Sequence, residues 1–196
     1  MPEKENVLKK AADNKLLIFL PAALVIVAIL LGYFCAIFPL ITGTISFGFE
    51  YLEWNIEHLI QNLFGGTGAS LFAILLPVGV IVAKKVNKPA LAKTFFFISL
   101  GFLAVQLFAA FICLIFSFFN IYGGFWGGVQ DFFAGFCGAQ VLSGLVYMVK
   151  DLFLDLDIIM TIGLVITDAV SAFAALLYIL SNAICALLCL QMANKR

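Results

Sequence analysis

Residues 16–40 read LLIFLPAALVIVAILLGYFCAIFPL, a run without one charged side chain. A helix rises about 1.5 Å per residue, so roughly 20 apolar residues cross a hydrocarbon core about 30 Å thick. This run exceeds that need. The shorter run 66–83 is still within range, and Pro77 and Gly79 should bend it, which lipid tolerates when neighbouring helices cover the exposed backbone. Lys4, Lys9, Lys10 and Lys15 precede the first run, the charge order of a secretory signal. A signal core is shorter, however, and is followed by a small-residue cleavage site. The stretch is therefore read as a retained first span.

The rest of the chain prefers the same solvent. Its 196 residues are 64% hydrophobic and 11% charged, with a mean hydropathy of +1.16. Soluble domains are nearer half apolar and a quarter charged. The formal charge is zero, and no basic surface suggests nucleic acid.

The expected fold class is an all-α integral membrane protein with four transmembrane helices. The spans are placed at about 16–40, 66–83, 94–119 and 171–192, in one membrane domain over 16–192. A basic tail, 1–15, and a short end, 193–196, flank it. The apolar run from Ile158 to Met192 is long for one upright span and short for two, so the last helix is counted back from Met192. Asp168 then falls near the outer boundary.

Orientation follows from the basic residues. The N-terminal lysines, then Lys84, Lys85, Lys88 and Lys93, then Lys195 and Arg196, carry ten of the eleven cations. The positive-inside rule puts these regions in the cytoplasm, with both termini. Segments 41–65 and 120–170 then lie outside. They hold Glu50, Glu53, Glu57, Asp131, Asp151, Asp155, Asp157 and Asp168, eight of eleven acids, against Lys150. A bacterial inner membrane or another cellular membrane would suit this pattern. The alternative makes 132–149 a fifth span, exporting the C-terminus and moving the aspartates inside.

The outer segments differ in kind. On a helix of 100° per residue, Ile45 to Phe64 gathers Glu50, Glu53, Glu57 and Gln61 on one face. Phe49, Leu52, Ile56, Leu59, Ile60 and Leu63 occupy the other. An amphipathic helix in the outer interface is expected. Its acidic face, unlike the basic face of lipid-binding helices, favours packing on protein or an acidic lining. Residues 120–168 open with Tyr122-Gly-Gly-Phe-Trp-Gly-Gly128 and continue as a glycine-punctuated apolar stretch. Irregular backbone cannot face lipid tails, so this segment must be re-entrant, interfacial or covered by a partner.

Glu50, Glu53, Glu57, Asp151, Asp155 and Asp157 form the expected acidic extracytoplasmic face. Three carboxylates near His58 could hold a cation, but neither a metalloprotease helix nor a calcium loop is present, so a solvated acidic face is the simpler reading. Small residues recur every fourth position: Ala28, Gly32, Ala36; Ala109, Cys113, Ser117; Ser181, Cys185, Cys189. Such rows let helices approach closely in lipid. Gln106 and Asn182 are the polar seam, able to bond between helices or to line a pore.

Catalytic apparatus is not legible. There is no GxSxG, HExxH or phosphate-binding glycine loop, and His58 is the only histidine. The cysteines, Cys35, Cys113, Cys137, Cys185 and Cys189, show no CxxC or Cys/His spacing. No cofactor or metal is expected. The expected function is non-enzymatic: a structural or assembly subunit of a larger membrane complex, such as a transport or secretion apparatus. Its partners are the lipid bilayer and other membrane proteins or copies of itself. The alternative is a small oligomeric channel or transporter with an acidic outer mouth.

Overall fold

A computed structural model describes residues 15–53, 55–56, 67–119, 125, 140–154 and 156–194. These residues are all-helical, with no strand among them. Five helices follow in order: α1 Lys15–Phe47, α2 Thr67–Val86, α3 Pro89–Phe118, α4 Gln140–Asp151 and α5 Ile158–Ala193. Three of them, α1, α3 and α5, are long and apolar enough to cross a membrane. The protein is a multi-pass membrane protein by this measure.

Helix ends follow local chemistry. α1 runs on past the expected Leu40 and stops at Gly48, whose φ of +85° is open to glycine without strain. Gly48 N–H bonds Thr44 O at 2.9 Å, closing the last turn. The chain then folds back in a helical turn from 49, and the Tyr51 ring lies over Gly43, where a Cβ would collide with it. The amphipathic helix expected from Ile45 therefore starts later, because Ile45 to Phe47 belong to α1. Its continuation through Glu57, His58 and Gln61 lies outside the described residues.

The α2–α3 turn is equally specific. Asn87 takes a left-handed φ of 54° and donates to Ala83 O at 3.0 Å, a role asparagine tolerates. Lys88 is extended, as the residue before a proline must be. Pro89 opens α3, where its missing N–H costs nothing.

α5 is one helix of 36 residues, about 54 Å long at 1.5 Å per residue. It begins thirteen residues before the expected start at 171. The cause is a cap: Asp157 Oδ2 accepts from Ile159 N–H at 3.1 Å and from Ser46 Oγ at 3.0 Å. Residues 158–170 thus extend the last helix. α4 is described over 12 residues, about 18 Å. Residues 120–139 of the expected outer segment, apart from the exposed Phe125, lie outside the description.

α5 is the hub, packing on every other helix. It runs antiparallel to α1 along nearly the whole of both. Ser181 Oγ donates to Pro21 O at 2.9 Å, Ala28 clusters with Ala174 and Leu177, and Cys35 Sγ donates to Thr167 O at 3.4 Å. These contacts recur every seven residues on each helix, the seam of a left-handed helix pair. Near the far end, Thr42 sits on Gly163, where a Cβ would collide with its hydroxyl.

Candidate functional site: a buried polar centre between charged ends

The bundle has a basic end. Lys84 and Lys85 close α2, and Lys88 and Lys93 flank the start of α3. Ile18 of α1 packs there with Leu76 and Val80 of α2 and with Cys185, Leu188 and Cys189 of α5. The N-terminus of α1 and the C-terminus of α5 therefore share this end. The opposite end is acidic. Glu50 and Glu53 are exposed just past α1, and Asp157 caps α5 beside Ser46. Half-buried Asp151 closes α4, within bonding reach of the half-buried Asp168 carboxyl. Glu57 and Asp155 lie outside the described residues. The expected acidic face is thus split by role: Glu50 and Glu53 are solvent-facing, whereas Asp157 is a clasp between helices.

Between the ends lies the polar pair. Asn182 Nδ2 donates to Gln106 Oε1 at 2.9 Å, joining α5 to α3, and both residues are buried. Ser181 precedes Asn182 in α5, and its hydroxyl donates to the carbonyl of Pro21 on α1. Val25, Leu76, Pro77, Phe102 and Tyr178 enclose the same spot. Pro21 and Pro77 are fully buried at this level. The four helices packed at this level thus cover the backbone that two prolines leave incompletely bonded. Gln106 and Asn182 face each other within one chain and open no seam on its surface.

The small-residue rows divide. Ala109, Cys113 and Ser117 are buried, as are Ser181, Cys185 and Cys189. In α1 only Ala28 is buried, while Gly32 is exposed with open space where a Cβ would stand. The α1 seam has a seven-residue repeat, Pro21, Ala28 and Cys35, so a position four after Ala28 turns away from α5.

Two residues drew too little weight in the sequence. Asp168 is level with Cys35, five residues inside the expected outer end of the first span, because α5 starts early and runs beside α1. A lone carboxylate inside a long apolar run was the available signal. Lys150, the one cation in the two outer segments of the sequence, reaches from α4 to donate to Ser117 O at the end of α3. A cation there also complements the negative end of the α3 dipole.

Among the described residues no three His, Cys, Asp or Glu side chains converge as a metal cluster. Comparison with protein-family models, curated proteins and solved structures finds no match.

Proposed function

We propose that the chain is a non-enzymatic multi-pass subunit of a larger membrane complex, such as a transport or secretion apparatus. α1, α2, α3 and α5 are its four spans, and the basic end is cytoplasmic. The observation that carries this reading is the length of the α1–α5 pair. With Lys84 and Lys85 at the inner boundary, about 20 residues of each helix fill a 30 Å core. A tilt near 20° adds only one or two more. Roughly a dozen residues of each helix then project beyond the lipid on the acidic side.

Among the described residues that projection is apolar and exposed. Ile41 is 50% exposed, Ile45 64%, Ile158 75% and Ile162 54%. Water-facing apolar surface of this extent marks an interaction site. The inward-facing Gln106–Asn182 pair offers ions no polar path on the surface of one chain, which favours a subunit over a channel.

The test is purification in mild detergent at native expression. Stoichiometric partner proteins are expected, and the Ile41→Glu, Ile162→Glu double variant should lose them without loss of folded yield. Recovery of the chain alone, with selective ion flux in liposomes, would favour the channel.

A further inference from the structure

The turn between α2 and α3 gathers Lys84, Lys85, Lys88 and Lys93, and the sequence has no Asp or Glu between Glu57 and Asp131. Orientation alone does not require that purity. Lysine and arginine set which side a loop occupies, and nearby carboxylates change the outcome little. The N-terminal tail shows the looser pattern, its four lysines mixed with Glu3, Glu5 and Asp13. Among the described residues the acids are Glu50, Glu53, Asp151, Asp157 and Asp168, all towards the opposite end.

The helix poles sharpen the point. α2 ends on its negative pole, which Lys84 and Lys85 complement. α3 begins on its positive pole, where an acid or a capping Ser, Thr, Asp or Asn is the stabilising choice. Lysine stands there instead. Lys88 is the N-cap residue and makes no side-chain cap, no acid occupies the first turn, and Lys93 follows one turn on. Three exposed cations, Lys85, Lys88 and Lys93, thus share one corner with the positive pole of α3, an arrangement that an anion stabilises.

The surface beside these lysines is apolar. Val86 is 46% exposed and Phe97 66%, and Phe97 lies four residues from Lys93 on the same face of α3. α3 itself is long and apolar enough to cross a membrane. A molecule that matches both surfaces joins an anionic head to an apolar tail. Lysine clusters at the membrane end of a span recognise anionic lipid in this way. We propose that the α2–α3 turn is a binding site for the phosphate of an anionic lipid headgroup, held by Lys85, Lys88 and Lys93 with the acyl chains along Val86 and Phe97. The site needs only α3 as a span and stands apart from the subunit reading.

Native mass spectrometry of the full chain in neutral detergent, offered equal amounts of phosphatidylglycerol and phosphatidylcholine, tests this. The chain should retain phosphatidylglycerol several-fold more. Equal retention would overturn the proposal. The Lys85→Gln, Lys88→Gln, Lys93→Gln triple variant should lose the preference. The Lys4→Gln, Lys9→Gln, Lys10→Gln variant removes the same charge from the tail and should keep it. A preference kept by the first variant, or lost equally in the second, would contradict the site. Inorganic phosphate in large excess should leave the lipid bound; full displacement would reveal a free-anion site and overturn the lipid assignment. If the first variant does not fold, Lys93→Gln alone decides: the preference should drop at least about twofold, and no drop counts against the turn.

Discussion

Asn182 and Gln106 show what one polar pair costs inside an apolar bundle. Each amide satisfies the other in part, so removing either strands its partner. Gln106→Leu should lower stability by about 1–3 kcal/mol, through the Asn182 amide left without its acceptor. The Gln106→Leu, Asn182→Leu double variant should cost less than the two single changes together. The expected coupling is about 0.6–1.7 kcal/mol, the range met between membrane helices. Reversible unfolding of the four proteins in mild detergent measures it; strict additivity would mean that the bond contributes nothing. Glycines separate in the same way. Gly163→Val drives a side chain into Thr42 and should destabilise by about 1–3 kcal/mol through overpacking. Gly32→Leu meets open space, so the isolated chain should keep its melting temperature within a degree or two. If Gly32→Leu alters anything, the change should be in partner recovery.

Helix identity was legible because long apolar runs have one solution in lipid, and the α2–α3 turn because Lys84-Lys-Val-Asn-Lys-Pro89 combines boundary charges with a proline start. Helix length was not. A rule of about 20 residues per span describes the bilayer, whereas α1 and α5 are lengthened by each other: Ser46 and Asp157 meet at the paired ends of helices of 33 and 36 residues. The packing period was hidden for a related reason. Ala28, Gly32 and Ala36 look like a four-residue row, but an antiparallel partner that stays in contact for the length of α1 selects every seventh residue. Only the partner's register reveals which small residues are inside. The Asp157 cap belongs to this scale. Asp157→Ala removes the acceptor for Ile159 N–H and Ser46 Oγ together, and should cost about 0.5–2 kcal/mol. Hydrogen exchange should rise first in residues 158–163, with the α5 centre unchanged. Uniform exchange along α5 would contradict a local clasp.

At the scale of the whole molecule, the separation of charge in the sequence becomes a separation in space. Contacts at Ile18 and at Ser46 fix opposite ends of the α1–α5 pair, and the lysines of the α2–α3 turn gather at the first while Glu50, Glu53, Asp151 and Asp157 gather at the second. The proposed partner surface is the acidic end with its apolar projection, and its side of the membrane follows from the charge separation. Impermeant maleimide labelling of sealed membranes decides this directly. The background carries Ala at all five cysteines, with one new thiol introduced by Phe153→Cys, at a position 84% exposed on the acidic end, or by Lys88→Cys on the basic end. Reagent on the extracytoplasmic side should label the Phe153→Cys protein at once and the Lys88→Cys protein only after permeabilisation. Labelling of both from that side, or of the Lys88→Cys protein alone, would contradict the account.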